Sequence, residues 1–278
     1  MMQKNDTHDV QSITSDVSTL LVDDLETLQK KVSIPSTWGF GERLVPNYMA
    51  NDRASKRITE IHLLHYEIAQ KYVPQKSVLD IACGSGYGSQ MLHLAGANSV
   101  VGVDVCPDTI QYARQHYAAS GIEFICDDAE QFEYPKPFDV IISFETLEHL
   151  HDPRKFLEYI HNSLTPGGEF LLSVPLGETR HIDPYHLHKF NQREIFSLLE
   201  ESGFSINLYR CDDLFISRSD LEYWKQLYPE APQPSVYELL FTRRGQRVVS
   251  DLVFRGGFKF QQLLVCTSLA DDSLNNEQ

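Results

Sequence analysis

The sequence is poor in positive charge: 24 lysines and arginines stand against 39 aspartates and glutamates, a formal net charge of −15. A field of that sign repels phosphate backbones unless a local basic patch overrides it, so nucleic acid is not an expected partner. Cysteine is scarce in any useful pattern. Cys83, Cys106, Cys126, Cys211 and Cys266 form no CxxC or CxxH pair and leave an odd thiol, which fits a reducing compartment better than a disulfide framework and disfavours a structural zinc. No apolar run is long enough to span a membrane, and the opening MMQKNDTHDVQSITSDVSTL carries one early lysine without the apolar centre of a signal peptide. The expected setting is cytoplasmic. No internal repeat is visible.

What is present is an ordinary globular composition over 278 residues, enough for one main domain with decorations. From Ser77 onward, short β-rich runs alternate with helical patterns: SVLDIA (77 to 82), SVVGVDV (99 to 105), IEFICD (122 to 127), FDVIISF (138 to 144), EFLLSV (169 to 174), FSINLYR (204 to 210) and KFQQLLVCTSL (259 to 269). This pattern predicts an α/β, doubly wound, Rossmann-like fold, a seven-stranded and mostly parallel sheet with helices on both faces. The helices carry their own punctuation. Pro107 suits a first turn, with Ile110, Ala113 and Tyr117 on one face and Gly121 beyond the end. Asp152 and Pro153 offer an N-cap and first turn before Phe156, Leu157, Ile160 and Leu164, and Pro166-Gly167-Gly168 stops that helix. Asn191 with Glu194 reads as a capping box, closed by Gly203.

Around this core the chain divides into an acidic, partly disordered tail (1–34), an N-terminal lid (35–75) and the main domain (76–278). The lid holds PSTWGFGERLVPNYM and a helix with Ile58, Ile61, Leu64 and Ile68. A substrate-cap insertion is expected at 211–257, before the last strand, with Trp224, PEAPQP and the cluster Arg243, Arg244, Arg247. A connection of that length usually has a function.

The turn after the first strand, VLDIACGSGYGSQML, places Gly84, Gly86 and Gly88 where an open parallel sheet holds its ligand. A dinucleotide fingerprint needs its third glycine three positions after the second; the spacing here fails, which makes NAD the runner-up. A phosphate-binding loop would end in Gly-Lys-Ser/Thr, and this one does not. Asp104 ends the second strand twenty residues after Gly84, in reach of ribose hydroxyls, and Asp128-Ala129 ends the third, positioned for an adenine edge.

With FDVIISFETLEHLHDPRKFLEYIHNSLTPGGEFLLSVP following, the chain from about Ser77 to Phe204 resembles the class I S-adenosylmethionine-dependent methyltransferases in five ordered motifs. The resemblance implies that Asp80 and the loop Ala82, Gly84 and Gly86 surround the methionine end of the cofactor. It implies that Asp104, with Val105 beside it, binds the ribose, that Asp128 accepts from the adenine amino group, that Ala129 touches the ring, and that Ser143 and Phe144 line the sulfonium side. S-adenosylmethionine has no phosphate, so close backbone approach and nearby carboxylates suit it better than a basic residue.

A hydroxyl nucleophile needs help losing its proton, and the groups for that should stand in FETLEHLHD (144 to 152) and PLGETRHIDPYHLHKF (175 to 190). His149 is the first candidate base, with His188 and then His186 behind it. The primary reading uses no metal. Its alternative is that Glu145, Glu148 and His149, spaced i, i+3, i+4, hold magnesium with His188 as a fourth ligand, a pattern similar to a magnesium-dependent branch acting on ribose hydroxyls and to quinone-biosynthesis O-methyltransferases. GERLVP and FETLEHL look like methyltransferases of bacterial polysaccharide and glycan assembly. The resemblance therefore implies O-methylation of a small-molecule hydroxyl, most of all a sugar or glycan-related one. Other readings are metal-assisted methylation of a ribose or quinone hydroxyl, N-methylation of an amino sugar, and a non-catalytic cofactor-binding module. The sequence leaves the oligomeric state open.

Overall fold

The computed structural model describes residues 53–177, 185–227, 240–241 and 243–269. The 1–34 tail, the lid segment Pro35 to Met49, His181, PEAPQP and the side chains of Trp224 and Arg244 lie outside the described residues. Along the described chain the helices and strands are α1 (Arg53–Ala69), β1 (Ser77–Ile81), α2 (Tyr87–Leu94), β2 (Ser99–Asp104), α3 (Pro107–Tyr117), β3 (Ile122–Cys126), β4 (Phe138–Phe144), α4 (Pro153–Ser163), β5 (Leu164–Leu176), α5 (Gln192–Glu201), β6 (Phe204–Ser217), α6 (Arg218–Leu227), α7 (Arg243–Phe254) and β7 (Gly257–Leu269).

The inner strands read as unbroken apolar runs because both of their faces are covered. Alternate side chains go to opposite layers. Val78, Val140, Ile142 and Leu171 join Tyr66, Tyr87 and Leu92 of α1 and α2 on one face, while Leu79, Ile141, Phe170 and Leu172 join Phe156, Leu157, Ile160, Ile195 and Leu199 of α4 and α5 on the other. The seven strands follow the order β3-β2-β1-β4-β5-β7-β6, with β7 antiparallel to both of its neighbours. Strand order reverses between β1 and β4, where Val78 pairs with Val100 on one side and Val140 on the other. The crevice for a ligand opens there, beyond the carboxyl ends.

Helix boundaries follow the expected chemistry. The Asp152 side chain accepts from the Lys155 amide, and Asn191 with Glu194 forms a complete capping box. Three elements differ from the sequence expectation. β5 begins at Leu164, so Leu164 and Pro166-Gly167-Gly168 belong to the strand and not to the end of α4. β6 runs on to Ser217, paired with β7 as far as Gly257, so the connection before the last strand spans 218–256 and not 211–257. As an edge strand with one neighbour, β6 keeps a mostly exposed middle, and Arg210, Asp212 and Asp213 hide its continuation from an apolar-pattern reading. In α1 the buried residues include Ile61, His65, Tyr66 and Ala69, while Leu64 is half-buried. Two aromatic polar side chains thus occupy the face that apolar spacing alone assigns elsewhere.

Candidate active site

A cavity of about 510 Å³ lies over the switch point. Its floor is the turn after β1. Ala82 there has φ 64, and Glu145, just past β4, has φ 50. For residues other than glycine the left-handed region costs roughly 1–2 kcal/mol each. Two of the three such residues in the described chain therefore stand at the ends of the two strands that flank the crevice, a distribution typical of functional strain.

The glycines of the turn do three different jobs. Around Gly84 a Cβ would meet nothing within 4 Å, and the residue faces the cavity. Gly86 caps α2 with φ 88, and a Cβ there would come within 2.7 Å of Ala113 on α3. A Cβ on Gly88 would overlap the Tyr66 ring. Tyr66 in turn donates to Asp80 Oδ1 at 3.1 Å, Ser89 donates to Asp80 Oδ2 at 2.6 Å, and the Tyr66 ring packs 5.0 Å from Phe144. Asp80 is buried, and burial pushes its carboxyl up to about 6 against the pull of those two donors. It is a brace beneath the loop and does not itself line the cavity among the described residues.

Asp104 does line it. Its carboxylate accepts from the Gly84 amide at 3.1 Å and from the Cys106 amide at 2.9 Å, so one side chain ties the end of β2 to the glycine turn. Val105, Asp128 and Ala129 form the next part of the wall. Asp128 Oδ1 accepts from the Glu130 amide at 3.0 Å, and Asp127 Oδ1 from the Asp128 amide at 2.8 Å. Glu130 receives the Asp152 amide at 2.9 Å and lies 3.0 Å from His151 Nδ1. Although partial burial opposes it, these partners hold the Glu130 carboxyl below its ordinary value. Asp127, Glu130 and His151 are wall residues that the sequence reading did not single out. Ser143 is fully buried and follows the alternation of β4 to the face opposite Phe144, so Phe144 lines the cavity and the Ser143 side chain does not.

At the far end stand His62, Tyr66, Tyr87, Phe144, Thr146 and His149. The segment FETLEH is not a helical turn from Glu145. Only Leu147–His149 is coiled, as a 3₁₀ turn, and the left-handed backbone at Glu145 aims its carboxylate at the Ser173 hydroxyl, 2.7 Å away, and at the Gln262 amide, 3.1 Å away. Glu145 is therefore not part of a ligand set with Glu148 and His149. His188 is not either: its Nε2 donates to the Leu150 carbonyl at 2.8 Å, and its ring stacks on Phe190. The carbonyl of Glu148 accepts from the amides of Leu187 and His188 at 2.8 and 3.0 Å, which brings the 185–190 segment against the turn. In place of the expected set, Glu148, His149 and His186 gather one donor atom each within 4.8 Å of one another. His149 Nδ1 lies 3.3 Å from the Tyr185 carbonyl and its Nε2 lies 3.8 Å from Glu148 Oε1.

His62 was also missed. It lies one turn before Tyr66 on the inward face of α1, an i, i+4 pair that a search for apolar spacing passes over. Burial holds its imidazole down at about 4 and that of His65 at about 3. Among the described residues neither nitrogen of His65 has a hydrogen-bond partner, and the ring packs edge-on against Phe144.

Comparison with known proteins agrees with this architecture. Residues 79–172 match the family described as methyltransferase domain. A probable S-adenosylmethionine-dependent methyltransferase of Mycolicibacterium smegmatis is 29% identical over 60% of this chain and 65% of its own length. The ubiquinone biosynthesis O-methyltransferase of Pseudomonas aeruginosa is 39% identical over 36% of this chain and 44% of its own length. The chain thus spans less than two thirds of the length of these relatives. Among solved structures, a candidate methyltransferase of Bacillus halodurans superposes with a TM-score of 0.62 at 17% identity, covering 75% of this chain and 99% of that one, and so shares the fold. The matched stretch is similar to S-adenosylmethionine-dependent methyltransferases, and the fold around it is one that a methyltransferase structure shares.

Proposed function

We propose that the protein binds S-adenosylmethionine in this cavity and transfers its methyl group to a hydroxyl of a small, ring-bearing acceptor, with a sugar or glycan-related molecule as the narrower reading. The observation that carries it is the two-part cavity. One arm is lined by Asp104, Asp127, Asp128 and Glu130, without a lysine or arginine among its described lining residues, and the other is walled by aromatic and imidazole rings. The first suits a ligand with a ribose, an adenine and a cationic sulfur but no phosphate. The second offers flat apolar faces and an imidazole to take a proton while excluding water. Asp104 and the glycine turn would hold the ribose and the methionine end; Asp128 and Ala129 would hold the adenine.

Calorimetric titration with S-adenosylhomocysteine and with NAD tests the cofactor: binding of the first alone is expected, and binding of NAD alone would end the proposal. Label transfer from methyl-tritiated S-adenosylmethionine to hexoses, nucleotide sugars, amino sugars and catechols then sorts the acceptor class and separates an enzyme from a non-catalytic binding module.

The trio Glu148, His149 and His186 supports a second reading, in which a metal assists the acceptor. Two imidazoles and one carboxylate do not fit magnesium, which prefers oxygen donors. They suit a transition metal of the zinc or iron kind. Zinc titration of wild type and of Glu148→Gln, read by calorimetry, checks this: equal heats from the two proteins would remove the site.

A further inference from the structure

We infer that His62, and not His149, takes the proton of the acceptor hydroxyl. The inference rests on the methyl-transfer reading above and deepens it. At the acceptor end of the cavity most polar groups are already committed inside the protein. Glu145 is held by Ser173 and Gln262, the Tyr66 hydroxyl donates to Asp80, and the Thr146 hydroxyl donates to the Phe144 carbonyl. His149 also lines the chamber, but its ring is engaged inside the protein: a carbonyl can only accept, so the Tyr185 contact puts the proton on Nδ1, and Nε2 lies 3.8 Å from an oxygen of the buried Glu148 carboxylate. The same ring packs against His186, 4.7 Å away between centroids.

His62 differs on each count. It comes from α1, lines the chamber, and has no described residue hydrogen-bonded to its ring. Burial lowers its pKa to about 4, so the ring is neutral at working pH with a lone pair available. The next inward residue, His65, is closed off against Phe144, which leaves His62 as the imidazole of this helix with access to a ligand. A weak base suffices. As the acceptor oxygen attacks the methyl carbon, the C–O bond forms and the C–S bond breaks. The bonding pair stays on sulfur to give the thioether. The hydroxyl proton, made strongly acidic by the new C–O bond, passes to the His62 ring, and the imidazolium returns it to solvent as product leaves.

The test compares two acceptors with methyl-tritiated S-adenosylmethionine at pH 7.5: catechol, which must lose a proton, and 4-nitrocatechol, which is already ionised. His62→Gln and His62→Ala are expected to slow transfer to catechol by about a hundredfold or more, to leave 4-nitrocatechol within about threefold, and to keep S-adenosylhomocysteine affinity within twofold of wild type. The ionised acceptor and the affinity serve as internal controls of folding. Equal losses on both acceptors, or no loss on catechol, would overturn the assignment while leaving the methyl-transfer reading intact. A wild-type protein that binds S-adenosylhomocysteine yet labels no hydroxyl acceptor of the screen above, sugars included, would count against hydroxyl transfer itself, and against this assignment with it.

Discussion

Asp80→Asn isolates the cost of the buried carboxyl beneath the glycine turn. Unfolded, Asp80 ionises near its ordinary value of 3.8; folded, it ionises at about 6 because burial penalises the charge. Between those values the folded protein keeps a proton that the unfolded chain has lost, so stability from this residue is complete below 3.8 and is lost as the pH rises through 6. The cost is about 1 kcal/mol at pH 4.5 and about 3 kcal/mol at pH 7.5. Asparagine removes it at both. The substitution also disturbs the bonds from Tyr66 and Ser89, but that loss is nearly the same at the two pH values, since a hydroxyl can turn to accept from the new amide. The stability difference between variant and wild type should therefore move in favour of the variant by about 2 kcal/mol from pH 4.5 to 7.5. Urea denaturation of the cofactor-free protein at the two pH values measures it. A difference that does not change with pH, or that moves in favour of wild type, would refute the assignment of a raised carboxyl to Asp80.

Gly88→Ala would drive a Cβ into the Tyr66 ring; overpacking of this kind costs about 1–3 kcal/mol, and displacement of Tyr66 should lower S-adenosylhomocysteine affinity at least tenfold by calorimetry. Unchanged affinity would show that the Tyr66 contact does not shape the loop. Asp104→Asn weakens the charge-assisted bonds to the Gly84 and Cys106 amides and should cost about 1–3 kcal/mol of cofactor binding, with a smaller effect on urea stability. A variant that binds as tightly as wild type would free Asp104 from the ribose role.

Much of the fold was legible because its signals are local. The apolar runs of β1, β2 and β4, the Asp152 cap and the Asn191–Glu194 box each declare themselves within a few residues. That Asp104 and Asp128 share one wall was legible for a related reason: they stand at or just past strand ends, and strand ends in a parallel sheet converge on one edge. The far end of the cavity was not. Its geometry depends on a backbone reversal at Glu145 that no periodicity announces, and an i, i+3, i+4 reading presumes a helix where three residues of 3₁₀ turn stand. His186 replaces Glu145 and His188 in the trio because the amides of Leu187 and His188 anchor to the Glu148 carbonyl, a contact across nearly forty positions of sequence. His62 and Tyr66 were hidden for the opposite reason: Tyr66 is buried and His62 half-buried on a helix whose inward positions are expected to be hydrophobic.

The residues that would meet the acceptor come partly from outside the stretch shared with the methyltransferase-domain family. That match covers 79–172, while His62 and Tyr66 precede it and Tyr185 and Leu187 follow it. A common cofactor arm can therefore carry different acceptor chambers, and similarity within the matched stretch says little about the acceptor. The two parts are nevertheless mechanically joined. Tyr66 bonds to Asp80, its ring lies in the space left by the missing side chain of Gly88, and it packs on Phe144 at the border of the chamber. α1 cannot shift toward or away from an acceptor without moving the ring that braces the glycine turn. Occupation of either arm should thus be felt in the other, through one tyrosine that belongs to both.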